Sequence, residues 1–252
     1  MKAVSDLKVK IFGDGADLPG ILELSRLPYI KGFTTNPTLM RKAGVADYAE
    51  FAAQVLKQIK TQPVSFEVFA DDEETMEAQA KHIAGWAKNV YVKIPVTNTK
   101  REPMYGLIRR LSHEGIQVNV TAMMTLEQVR EVGKALHGGA ASNVSVFAGR
   151  VADTGRDPVP MMREAVEILR AHPNAELIWA SPRELLNIFQ ADEIGCHIIT
   201  VTNDILAKLK LVGKDLGEFS LDTVKMFHGD AEKAGYTLDV ATAARGAKSS
   251  KS

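Results

Sequence analysis

The sequence predicts an α/β protein, a single (β/α)8 TIM barrel with an extra C-terminal helix, and three observations carry that expectation. Short β-branched or apolar runs alternate with helically spaced apolar residues about eight times along the chain. The connections between them are short, as a closed barrel requires. Polar side chains stand near the carboxyl end of almost every predicted strand, the end at which such barrels place their chemistry. The barrel is expected over residues 1–240, with residues 241–252 as a small, polar and basic disordered tail.

The first strand runs from Lys8 to Phe12 and breaks at Gly13-Asp14-Gly15-Ala16-Asp17, after which Leu18 to Leu27 has helical spacing. Gly32-Phe33-Thr34-Thr35-Asn36-Pro37 reads as a short strand and a turn. Asp47 to Lys60 follows as a helix with Tyr48, Phe51, Ala52 and Val55 on one apolar face. Val64 to Phe69 is the third strand, and its helix opens on Asp71-Asp72-Glu73-Glu74, acids suited to the positive end of a helix dipole, and continues to Lys88. The fourth strand is Val90-Tyr91-Val92-Lys93-Ile94, stopped by Pro95.

Pro103 to Glu114 is helical and ends at Gly115; Gln117 to Thr121 alternates as the fifth strand, and Thr125 with Gln128 forms a capping box for the next helix. Asn143 to Phe147 is the sixth strand, followed by a loop through Arg150 and Gly155 and a helix from Val159 to Ala171. Glu176 to Ala180 is the seventh, with Ser181-Pro182-Arg183 expected to open its helix. His197 to Val201 is the eighth, Asn203 to Val212 its helix, and Ser220 to Ala234 the extra one, placed to pack across the barrel mouth or against a neighbouring subunit.

Composition narrows the function. The 252 residues carry 31 basic and 31 acidic side chains, so the net charge is zero and nucleic acid is not an expected partner. No apolar run reaches membrane-spanning length. The single cysteine, Cys196, and a start without an apolar signal core fit a reducing cytoplasm. The six histidines show no ligand spacing with cysteine or acids, so no metal is expected, and Gly13-Asp14-Gly15 lacks the third glycine of a dinucleotide fingerprint.

Lys93 organises the candidate site. An ammonium inside an apolar strand must be paired or neutral, and a neutral amine at a pocket mouth is the nucleophile that makes a Schiff base with a carbonyl. The alternatives are a lysine snorkelling to solvent or paired with a carboxylate. Asp14 can serve as the base for carbon–carbon cleavage, or as a helix-capping or turn residue before the first helix, with Asp17 the better cap; Glu67 can move protons through a water during imine formation. Asn36, Asn119, Thr121 and Ser145 would line the same ring. Ser181 as N-cap, Arg183 beside it and Arg150 at the sixth strand suit a phosphate, or either arginine forms a structural salt bridge.

Two stretches, Gly32-Phe33-Thr34-Thr35-Asn36-Pro37 and Val92-Lys93-Ile94-Pro95-Val96-Thr97, resemble the signatures of the transaldolases, in the short form that also includes the fructose-6-phosphate aldolases. The resemblance covers Lys8 to Val212. It implies that Lys93 forms the Schiff base, that Asp14 is the acid/base for carbon–carbon cleavage, and that Glu67 and Thr121 hold the water of imine chemistry. It further implies that Asn36, Asn119 and Ser145 bind the dihydroxyacetone portion, and that Arg150, Ser181 and Arg183 bind the sugar phosphate. Glu67 and Phe147 stand where the aldolase branch usually has glutamine and tyrosine. The implied activity is transfer of dihydroxyacetone between sugar phosphates of the pentose phosphate pathway, with no cofactor, in a homo-oligomer. Gly13 and Gly15 replace the usual side chains beside Asp14, and Ala122-Met123-Met124-Thr125 departs from the usual aromatic-containing version.

Overall fold

The computed structural model describes residues 2–238. They fall into two compact units, residues 2–210 and a second that begins at Leu211. The expected disordered tail lies outside the described residues.

The first unit is a closed barrel of eight parallel strands in sequence order, with β1 hydrogen-bonded to β8. Its elements are β1 (Lys10–Asp14), α1 (Leu18–Ser25), β2 (Ile30–Thr34), α2 (Pro37–Lys42), α3 (Tyr48–Gln58), β3 (Val64–Glu67), α4 (Glu73–Ala84) and β4 (Val90–Pro95). There follow α5 (Tyr105–His113), β5 (Val118–Met123), α6 (Leu126–Leu136), β6 (Ser142–Val146), α7 (Ala148–Ala152), α8 (Pro158–Leu169), β7 (Ala175–Trp179), α9 (Leu186–Glu193), β8 (Ile198–Thr202) and α10 (Asn203–Leu206). The second unit contains α11 (Leu216–Ala234), capped by Asp215 and ended by Gly235 in the left-handed region, φ 67°.

Local chemistry accounts for most boundaries. Asp17, Asn36, Asp47, Asp72 and Asp157 each accept a first-turn N–H with the side chain, and the capping box of Thr125 and Gln128 is present. Two short helices stand where turns or loops were expected: α2, whose first residue Pro37 is pre-set for a helix start, and α7 between β6 and the Gly155 loop. One expectation is overturned. Ser181 does not open a helix, because α9 begins at Leu186.

The backbone at Ser181 is non-helical and runs close against Gly149. A Cβ on Gly149 would lie 1.6 Å from the Ser181 carbonyl oxygen, so the two backbones pass in direct contact. Ser181 adopts φ 60°, a left-handed conformation outside any helix, and the N–H groups of Arg183 and Glu184 turn instead to Asn187 Oδ1 at 2.8 and 3.1 Å.

The main apolar core lies between the strands and the helices. Inside the barrel a smaller cluster of Phe12, Ile178, Ala180 and Ile198, joined by Phe147, crosses the middle. Gly32 makes this possible, since a Cβ there would sit 2.6 Å from the Phe12 ring. Below that layer Lys10 pairs with Glu176 at 2.6 Å. The layer above is polar.

Candidate active site

Strand alternation sends Asp14, Thr34, Glu67, Lys93, Asn119, Thr121 and Ser145 to the inner face near the carboxyl end of the barrel. Lys93 pairs in register with Glu67 on one side and with Asn119 on the other. It is only 6% exposed, so the snorkelling alternative is ruled out. Its ammonium donates to the Thr35 carbonyl at 2.5 Å and forms an ion pair with Glu67 Oε1. Burial raises the Glu67 carboxyl to about 6, and the Lys93 ammonium limits that rise.

Asp14 belongs to the same layer. Burial also pushes its carboxyl up, while Lys93, the Thr34 hydroxyl and the Asn36 side chain favour the anion. Thr34 donates to Asp14 Oδ1 at 2.8 Å and shares a short hydrogen bond with Thr200. Asp14 is therefore not a helix cap; Asp17 caps α1, accepting from Gly20 N at 2.9 Å. Asn36 accepts from Leu39 N at 2.9 Å, so its orientation is set by the start of α2.

A second line of polar contacts runs from β3 to β6. Asn119 Nδ2 donates to Ser65 Oγ at 3.0 Å and accepts from Ser145 Oγ at 2.7 Å through Oδ1. Two buried oxygens nearby, Glu67 Oε2 and Thr121 Oγ1, have no hydrogen-bond partner among the described residues. Beyond Thr121 the β5–β6 register slips between Val120 and Met123, and Ala122 takes φ 65°. This bulge at the rim aims Met124 outward, 40% exposed.

The two arginines stand apart from this layer, exposed after β6 and β7. Arg183 forms a forked ion pair with Asp153 and donates to Ser181 Oγ at 3.0 Å, so its structural alternative is present in the fold. Arg150 lies over the Phe147 ring, 5.8 Å from its centroid, and has no carboxylate within 4 Å among the described residues.

Several contributors escaped the sequence reading. Thr34, Ser65 and Thr200 orient the acids and amides, and strand alternation alone could have marked them. Asp153 is visible only once Arg183 is placed. Tyr48, expected on an apolar helix face, turns its hydroxyl to the Glu67 backbone. Among the described residues no three His, Cys, Asp or Glu side chains converge as a metal-ligand set, and no helix is long and apolar enough to cross a membrane.

Comparison with known proteins agrees with the geometry. The family model for transaldolase/fructose-6-phosphate aldolase matches residues 11–247. A probable transaldolase of Dehalococcoides mccartyi is 36% identical over 202 residues, 80% of this chain and 90% of the relative. Another, from Thermoanaerobacter, is 34% identical over 231 residues, covering 91% of this chain and all of the relative. A mandelate oxidase crystal structure superposes with a TM-score of 0.53 at 13% identity, over 85% of this chain and 71% of that one, a likeness of fold alone. Motifs, barrel and relatives lead to one conclusion: the chain belongs to the transaldolase/fructose-6-phosphate aldolase family.

Proposed function

We propose that the protein is a transaldolase that moves a dihydroxyacetone unit from a ketose phosphate, sedoheptulose 7-phosphate or fructose 6-phosphate, to an aldose phosphate, erythrose 4-phosphate or glyceraldehyde 3-phosphate. One observation carries this reading: a buried lysine faces two carboxyls whose affinity for protons is raised by burial.

Lys93 passes a proton to Glu67 and, as the free amine, attacks the keto carbon; the carbinolamine then loses water to give an iminium. Glu67 Oε2 and Thr121 Oγ1, buried and without a hydrogen-bond partner among the described residues, suit the hydroxyl or water that this step handles. Asp14 takes the proton from the hydroxyl beside the scissile carbon–carbon bond. The bond breaks, its electron pair enters the iminium to form an enamine, and the aldose departs. The acceptor aldehyde then reverses the sequence. Asn119, held between Ser65 and Ser145, presents amide and hydroxyl groups to the three-carbon unit. Arg150, Arg183 and Ser181 would receive the phosphate.

Fructose-6-phosphate aldolase activity, with release of free dihydroxyacetone, is the rival. Phe147 argues against it, because its ring packs against the cluster of Phe12, Ile178, Ala180 and Ile198 and carries no hydroxyl to protonate the enamine. A reducing cytoplasm, expected from the single cysteine, belongs to the same reading. Borohydride added with fructose 6-phosphate should fix the three-carbon unit on Lys93, and turnover should require erythrose 4-phosphate. Turnover independent of acceptor would establish the aldolase instead; absence of any adduct would remove the Schiff base.

A further inference from the structure

In a parallel sheet each residue turns its N–H and C=O toward the same neighbour. Those of Glu67 face β2, but β2 has already left the barrel. Its last ties to β3 are the Thr35 N–H and hydroxyl, which reach the Ser65 carbonyl at 3.3 and 2.9 Å; the chain then turns at Asn36 into α2. The Tyr48 hydroxyl takes the place of the missing strand. It accepts from the Glu67 N–H at 2.6 Å and donates to the Glu67 carbonyl at 3.1 Å.

The ring that carries this hydroxyl is itself held. Phe69, Trp86 and Phe66 meet it edge-on at centroid distances of 4.7, 5.7 and 6.1 Å. Asp47 caps α3 immediately before it, accepting from Glu50 N at 2.9 Å. Burial first, and then the Glu67 carboxylate, raise the phenol above its ordinary range, so it remains a donor across the working pH.

We propose that Tyr48 is a positioning residue for the reaction at Lys93, its hydroxyl fixing the end of β3 so that the Glu67 carboxylate meets the amine. The inference rests on the Schiff-base reading above. Nothing in it requires Tyr48 to touch substrate, which separates it from Asp14 and Thr121.

Tyr48→Phe tests it in the full chain, because the ring and its edge contacts stay while the hydroxyl goes. With fructose 6-phosphate and erythrose 4-phosphate, kcat should fall about tenfold with KM within about twofold, since geometry is lost and uniform binding is not. The rate of borohydride-trappable imine formation should fall in parallel, and the acid limb of its pH profile should move. In a Glu67→Gln background, where no carboxylate remains to be placed, the same substitution should change imine formation less than about twofold. A lowered melting temperature with unchanged kcat and pH profile would overturn the role, as would an equal loss in both backgrounds. No adduct on Lys93 in the unsubstituted protein would overturn the reaction class itself, and this role with it.

Discussion

Asp153 grips the guanidinium of Arg183 with both carboxylate oxygens, through Nε to Oδ1 at 2.8 Å and through Nη2 to Oδ2. The hydrogen-bonded guanidinium holds the Asp153 carboxyl below its usual range. With Nη1 on Ser181 Oγ at 3.0 Å, three of a guanidinium's five donors are engaged. The remaining two can meet a phosphate without displacing Asp153. The pair is a mount for the cation, oriented in advance.

Arg183→Ala should therefore lower kcat/KM for phosphorylated substrates by roughly 10- to 100-fold, the range of a lost charged hydrogen bond. Unphosphorylated analogues should change less than about twofold. Steady-state kinetics with fructose 6-phosphate and fructose compare the two, and an equal loss for both would remove the phosphate role.

Lys93→Met should reduce turnover by roughly three orders of magnitude or more and eliminate borohydride adducts. The barrel should persist by circular dichroism, since methionine fills the lysine stem's space. Retained turnover would mean that another nucleophile is at work.

Glu67 supplies a pH signature of known sign. Burial lifts its carboxyl from 4.5 to about 6 against the pull of Lys93. Folding therefore takes up a proton between those values, and the associated stability is fully present below 4.5 and lost as pH rises through 6. Urea midpoints measured against pH for the unsubstituted protein and for Glu67→Gln should diverge across that window. Activity should run the other way, rising through pH 6 as the anion forms; parallel stability curves would refute the assignment.

Gly149→Ala tests the crowding at Ser181. The added carbon would fall 1.6 Å from a backbone oxygen, which no rotamer change relieves. Overpacking of this kind costs about 1–3 kcal/mol or more, so the melting temperature should drop by several degrees. The displaced Ser181–Arg183 segment should also lose affinity for phosphorylated substrates. A variant as stable as the parent would show that the two strand ends separate freely.

The eight-fold βα period and Lys93 were legible because each is a local signal: a β-branched run, a charge out of place, a cap. What stayed hidden depends on partners distant in sequence. Ser181 and Pro182 have the composition of a helix start, but Ser181 is left-handed against Gly149 and Asn187 takes the N–H groups that follow. Tyr48 has an apolar helix position, and its hydroxyl acquires meaning only when β2 stops short of Glu67. The six residues of α2 are too few to show a period. The Asp153–Arg183 pair joins two loops that the sequence separates by a whole βα unit.

Phe12, seated against Gly32, gives the barrel a solid floor. On the proposed reaction this makes the chamber a vessel with one door. The leaving aldose and the arriving one must use the same opening, so the first has to clear before the second enters. The double-displacement order that the enamine imposes is thus reinforced by a ring and a hydrogen atom on the barrel axis, one layer beneath Asp14.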